Sequence, residues 1–346
     1  MLKKIKLFLL KFKSTKIWYY FLLYFFLPIY DFFWQFVFNF EGKIYYFLWK
    51  LKNKDSFNLN NNDKIIINNN FNFKKIAKDL NDFVNEDFQN NIIKEFKKNL
   101  NLENVQNKFE DYRVDLFKLL PIPLKQQIID FALHEKNITT SANYLKVFPI
   151  IGKIYFFLNF PSSGNKEKKG AMLWHKDDFG YKSLDLFLAV NNIDENNGQL
   201  YFVKEKEPLG VFYKLTNVIH NALPGERNKI NIDSFSKNFS DDKIDSLHGE
   251  AGNAVFIDSF TSYHRGGHCI SKNRLMLRIC YQTPDSIDVQ NKLNTNGFSF
   301  FTDIKKENTK NKFYRYLFFK RYGNFWKFIQ LPNILMKLYK ALHYKV

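Results

Sequence analysis

The hydrophobic pattern changes character along the chain. Residues 17–30, IWYYFLLYFFLPIY, form an apolar run of fourteen, interrupted by Pro28 and stopped by Asp31. The text before it, MLKKIKLFLLKFKSTK, has six lysines and no acid, and the text after it is aromatic but broken by Gln35, Asn39, Glu41 and Lys43. A helix that crosses a bilayer needs about 20 apolar residues, so the run is short for a span. No small-residue cleavage site follows, which argues against a signal peptide. Residues 1–54 are therefore expected to form helices lying in a membrane interface, with lysines on one side and Phe, Leu, Trp and Tyr on the other. Packing on the rest of the protein, or a true span, are the competing readings. Residues 55–75 are Asn-rich and read as a linker.

A second pattern begins near residue 73. In 73–100, Ile76, Leu80 and Phe83 stand near i, i+4 and i+7 and predict a helix. IPLKQQIIDFALHEKN, residues 122–137, predicts another, entered by prolines. From about residue 146 the apolar runs shorten: GKIYFFLNF, SLDLFLAVNNI, GQLYFVK, GNAVFIDSF and NRLMLRICYQT, each bounded by Pro, Gly, Ser or Asn. DENNGQ at 194–199 marks a turn between two of them. Short strands without intervening helices predict an antiparallel sandwich or barrel, not a Rossmann sheet. Residues 286–346 return to basic, aromatic, helix-like text, so residues 76–285 are the expected body.

Charge sharpens this division. The net charge is +18. Residues 1–54 carry ten Lys against Asp31 and Glu41, and residues 305–346 carry eleven Lys or Arg against Glu307. The two ends hold all the excess, and the body is balanced. That is not the pattern of a uniformly basic nucleic-acid binder, and no nucleic acid is expected. An anionic membrane surface is the expected partner of the ends, with the protein peripheral at the cytoplasmic face. The aromatic load of 40 Phe, 19 Tyr and 5 Trp is partly a compositional bias shared with Lys, Asn and Ile. Cys269 and Cys280 form no CxxC pair and suggest a reducing compartment.

The chemistry gathers in the strand-rich part. LWHKDDFG places His175 and Asp177 two apart, on one face if the segment is extended. His264 follows a strand and the turn DSFTSY, and Arg274 opens the next strand ten residues later. Two histidines and one carboxylate form a facial triad that leaves coordination positions open, as non-haem Fe(II) oxygenases require. A 2-oxo acid that chelates the metal needs a cation for its far carboxylate. Arg274 supplies a bidentate guanidinium, and Arg278, of the same strand parity, competes for that role. His268 competes with His264. Asp178 reads as solvated and Trp174 as packing, and His134, His220, His248 and His343 lack partners at ligand spacing.

WHKD, LDLFLAVNNIDENNGQLYFV and GNAVFIDSFTSYHRGGHCISKNRLMLRICYQTP, in that order, resemble the phytanoyl-CoA dioxygenase-like family of Fe(II)/2-oxoglutarate-dependent oxygenases. The resemblance covers roughly residues 140–285. It implies a double-stranded β-helix, or jelly roll, with flanking helices. By position it makes His175, Asp177 and His264 the iron ligands and Arg274 the 2-oxoglutarate anchor. One departure is the strand after the HxD, which runs NGQLYFVKEKEPLG without that family's GP turn and GSH-like stretch. The implied activity is a dioxygenase using Fe(II), 2-oxoglutarate and O2, most simply a hydroxylase of an unactivated C–H bond. The substrate class stays open among small metabolites, glycans and lipid-like or lipid-linked molecules. A cupin-like metal enzyme that does not use 2-oxoglutarate, and a non-catalytic membrane-associated jelly roll, are the alternatives.

Overall fold

The computed structural model describes residues 36, 39–40, 42–53, 65–68, 71–102, 112–161, 170–177, 183–204 and 241–285. The apolar run 17–30, His220, Asp178 and the C-terminal extension 286–346 lie outside the described residues.

Among the described residues, nine strands build two antiparallel sheets. They are β1 (Ile65–Asn68), β2 (Arg113–Asp115), β3 (Ile150–Asn159), β4 (Ser183–Ala189), β5 (Leu200–Val203), β6 (Ile244–Leu247), β7 (Ala254–Ile257), β8 (His264–Gly266) and β9 (Arg274–Gln282). The larger sheet has the order β1-β7-β4-β9-β3-β2 and the smaller one β6-β5-β8. Flanking them are the helices α1 (residues 42–52), α2 (Phe71–Phe83), α3 (Glu86–Leu102), α4 (Ile122–Ala132) and α5 (Glu135–Leu145). The chain is mainly β with flanking helices.

Side-chain alternation explains the layering. In β9, Leu275, Leu277, Ile279 and Tyr281 enter the large core shared with the helices, and Leu184, Leu186 and Leu188 of β4 join them. The alternate positions face the smaller sheet. There Phe187, Ala189, Val255, Ile257 and Met276 pack against Leu200, Phe202 and Leu247. The same inward set also includes Asp185, Arg274 and Arg278, all buried. In β4 and β9 one face of the large sheet is thus lined by Leu, Ile and Tyr, while the face between the sheets carries charge. Burying a charge is costly unless it is paired, so the inter-sheet space is where chemistry is to be sought.

Several expectations meet a more divided structure. The helix expected over 73–100 breaks at Val84–Asn85, because the Asn85 Oδ1 accepts the Phe88 N–H at 2.9 Å and caps α3. The helix expected over 122–137 ends at Ala132, and His134 caps the start of the next helix, α5. Within the stretch read as a linker, Ile65–Asn68 forms β1 and pairs with β7, in register from Ile65 opposite Ile257. Three consecutive isoleucines favour a strand even in Asn-rich text.

Helix α1 packs on the body. Tyr45 and Trp49 belong to the large core. The Trp49 indole N–H donates to Thr139 Oγ1 at 3.1 Å, and its ring meets Phe148 edge-on at 5.6 Å. A methyl group at Gly42 would stand 2.5 Å from Val147 Cγ2, so the helix backbone lies close against the loop before β3. Among the described residues, no helix is long and apolar enough to cross a membrane.

Candidate metal centre

Three backbone links bring the centre together. His175 and His264 exchange both backbone hydrogen bonds, each at 3.0 Å, as an isolated antiparallel bridge beside the smaller sheet. The Asp177 N–H donates to Ser259 O at 2.8 Å, tying the HxD segment to the turn after β7. His264 opens β8 and pairs with Phe202 of β5. Segments 89 positions apart in the chain thus present their side chains to one point.

His175, Asp177 and His264 offer ligand atoms that all lie within 4.8 Å of one another. The two imidazoles are oriented alike. His175 Nδ1 lies 2.7 Å from Leu173 O, and His264 Nδ1 lies 3.3 Å from Ser262 O. A carbonyl only accepts, so each Nδ1 carries the proton and each Nε2 presents a lone pair. These Nε2 atoms face Asp177, at 3.8 Å from Oδ1 for His175 and 3.5 Å from Oδ2 for His264. Burial, with His264 beside it, pushes the His175 pKa down to about 4, against the opposing pull of Asp177. Burial alone would raise Asp177, but the Arg278 guanidinium beside it holds the carboxyl well below its ordinary range. A neutral imidazole and an ionised carboxylate are the protonation states a divalent cation needs in its ligands. The donor set fits a metal ion of the Fe(II) kind.

The two candidate anchors are in different situations. Arg278 is committed: its guanidinium contacts both Asp177 and Asp185, and its Nε donates to Asp185 Oδ2 at 3.0 Å. Burial would lower its pKa, but these carboxylates raise it well above the ordinary value. Ser259 closes a ring, since its hydroxyl donates to Asp185 Oδ2 at 2.8 Å while its carbonyl takes the Asp177 N–H. Among the described residues, the Arg274 guanidinium donates hydrogen bonds to carbonyls only, those of Gly198 and Gly267. Its Nε is buried without a partner, and no carboxylate pairs with it among the described residues. Burial lowers its pKa, although a guanidinium stays charged. Arg274, Arg278, His175, His264, Phe187 and Met276 line one cavity between the sheets.

Two glycines shape the cradle of Arg274. Gly198 sits at φ +72°, and a methyl group there would lie 2.5 Å from His268 O. One on Gly267 would lie 2.6 Å from Gln199 O. The NG of the turn and the GG of HRGG therefore pack backbone on backbone, which brings both carbonyls to the guanidinium.

The other expected residues separate clearly. His268 is not in the cluster, and its Nδ1 is buried without a partner. Trp174 is buried under the Arg265 guanidinium, 5.1 Å away. His134 caps α5, and His248 pairs with Ser246. Cys269 and Cys280 are free thiols, both buried. Sequence reasoning missed Asp185 and Ser259. The signal for Asp185 was present: it is the one acid in SLDLFLA, a strand buried at every position.

No family model matches this chain, and no curated protein matches it. Among solved structures, it is similar to a non-heme alpha ketoglutarate dependent epimerase, SnoN from nogalamycin biosynthesis, at 13% identity over 64% of this chain and 79% of that one, TM-score 0.35. It is also similar to AviO1 from Streptomyces viridochromogenes Tue57, at 13% identity over 67% and 96% of the chains, TM-score 0.37. A third is EctD from S. alaskensis, solved with 2-oxoglutarate and 5-hydroxyectoine, at 13% identity over 64% and 73%, TM-score 0.37. Likeness of that degree decides nothing about chemistry, which rests on the side chains.

Proposed function

We propose that this chain is a non-haem Fe(II)/2-oxoglutarate-dependent dioxygenase of the phytanoyl-CoA dioxygenase-like kind, with its facing sheets forming a double-stranded β-helix. The observation that carries the proposal is the pairing of two features in one cavity. At one place stand two Nε2 lone pairs and a carboxylate within 4.8 Å. At another stands a buried guanidinium with no carboxylate partner among the described residues. A buried, unneutralised cation is costly, and a ligand carboxylate would offset that cost. The four positions are those that the sequence resemblance assigns to iron and 2-oxoglutarate.

In this reading His175, Asp177 and His264 hold Fe(II), and Arg274 takes the far carboxylate of 2-oxoglutarate as a bidentate ion pair. The bound metal with its co-substrate supplies oxidation of a C–H bond by O2, with decarboxylation of 2-oxoglutarate to succinate. The chain does the remainder. Leu173 O and Ser262 O fix the imidazole tautomers. Arg278 keeps Asp177 ionised and fixes its orientation, with its own charge offset by Asp185. Phe187 and Met276 keep part of the wall apolar and so limit water. The substrate is proposed to be an organic molecule of lipid-like or lipid-linked character, reached at the cytoplasmic face of a membrane. The basic, aromatic ends support this part of the reading.

The test is anaerobic loading of the full chain with Fe(II), then titration with 2-oxoglutarate under absorption spectroscopy. A charge-transfer band that needs both components is expected, followed by succinate release on admitting O2 with lipid, acyl and glycan candidates. Stoichiometric metal binding without any 2-oxoglutarate binding would point to a cupin-like enzyme. Absence of metal binding would sink the oxygenase reading.

A further inference from the structure

Helix α1 has two opposite faces, and among the described residues only one packs on the body. Gly42, Tyr45 and Trp49 are buried against the body. On the other side Ile44, Phe47, Leu48 and Leu51 are exposed, at spacings of three and four, which place them on one stripe. Phe47 is 60% exposed. Phe36 and Phe40, also helical and exposed, extend the apolar surface toward the N-terminus, with ring centroids 6.0 Å apart. At 3.6 residues per turn, Lys43 and Lys50 border the stripe on one side and Lys52 on the other. All three lysines are exposed, and none pairs with a carboxylate among the described residues.

Buried contacts on the opposite face fix this arrangement. The Trp49 hydrogen bond to Thr139 and the close approach at Gly42 prevent α1 from rolling its apolar stripe inward. An exposed contiguous apolar surface on a folded body marks a contact site. The lysine borders decide its kind. A protein groove that took up the stripe would need acids opposite three lysines. A bilayer with anionic lipids accepts aliphatic and aromatic side chains at the headgroup–acyl boundary and meets lysines on both flanks.

We propose that the outer face of α1, Ile44, Phe47, Leu48 and Leu51 with Phe40, is a docking face for an anionic lipid surface, held rigidly on the catalytic body by Tyr45 and Trp49. This deepens the membrane part of the proposed function and is independent of the metal chemistry. Residues 1–35 and 286–346, whose basic character suits the same surface, add to the binding and must be separated from it in the test.

The test is therefore site-specific. The full chain carries Phe47→Cys with an environment-sensitive fluorophore, and a control carries the same label at Glu195→Cys, an exposed position on the turn before β5. Cys269 and Cys280 are buried and remain unlabelled. Phosphatidylglycerol-containing vesicles should shift the emission at 47 to the blue and expose it to quenchers in the acyl region, with no change at 195. Ile44→Ser with Leu51→Ser should weaken vesicle binding at least about tenfold at an unchanged melting temperature. Lys43→Glu with Lys50→Glu should weaken the emission shift at 47 on anionic vesicles and lower its dependence on salt. Vesicle binding without a response at 47 overturns the docking face and leaves the membrane reading to the other segments. No vesicle binding overturns both. A blue shift that needs only protein concentration assigns the face to a second copy, and an equal response to pure phosphatidylcholine removes the lysines' part.

Discussion

At the scale of the residue, the centre is governed by which charges are neutralised. Asp177 is shared between two histidines and Arg278, and Arg278 between Asp177 and Asp185. Replacing His175, Asp177 or His264 with Ala is expected to abolish stoichiometric Co(II) binding with the fold kept, while His268→Ala binds nearly normally. Calorimetry on the four variants checks this. The two arginines should then part company. Arg274→Ala removes the guanidinium proposed to pair with the ligand carboxylate; losing one side of such a desolvated pair costs roughly 2–5 kcal/mol, so 2-oxoglutarate affinity should fall at least about tenfold with Co(II) binding retained. Arg278→Ala leaves Asp177 and Asp185 buried without their cation, which costs about 3–5 kcal/mol of stability. Pairing Arg278→Met with Asp185→Leu removes the Asp185 half of the burial problem and should restore part of the melting temperature. Its Co(II) affinity should stay low, because Asp177 has lost the group that orients it. Wild-type Co(II) affinity in that double variant would reduce Arg278 to a structural ion pair.

At the scale of the element, the spacing of the glycines around Arg274 matters as much as the arginine. Gly198→Ala puts a methyl group 2.5 Å from His268 O at a positive φ. This backbone cannot give way without moving the Gly198 carbonyl off the guanidinium. The variant is expected to lose 2-oxoglutarate affinity more than metal affinity, measurable in the same titrations. Legibility from the sequence follows element length. The strands β3, β4, β5, β7 and β9 were announced by apolar runs between turn residues. The strands β2, β6 and β8 were not, because RVD, IDSL and HRG carry too few apolar residues to signal a strand and exist by pairing with β3 or β5. At the site, the HxD, the distal His and Arg274 stood out by type and spacing. The roles of Asp185 and Ser259 did not, because an acid in one strand and a hydroxyl after another become partners only through the β4–β7 pairing.

At the scale of the whole molecule, the N-terminal segment serves the fold, and the proposed docking face rests on the same helix. A chain beginning at residue 70 loses α1 and β1. It uncovers the edge of β7 along four paired positions. It also removes Trp49, one of the largest fully buried side chains, from Phe148 and Thr139. Truncating one such Trp to Ala costs about 3–5 kcal/mol, against a total stability on the order of 5–15 kcal/mol for a domain. An exposed β7 edge adds a template for aggregation. The chain 70–285 is therefore expected to melt at much lower temperature than the chain 36–285, and to aggregate, in a thermal unfolding series on the two. Loss of vesicle binding by the shorter chain alone says nothing about docking, since misfolding explains it equally. The informative comparison holds the fold constant. Trp49→Ala in the full chain should lower the melting temperature and leave the outer stripe intact, while Ile44→Ser with Leu51→Ser should do the reverse. If both variants lose stability in parallel, the stripe is part of the core and α1 is only a structural helix.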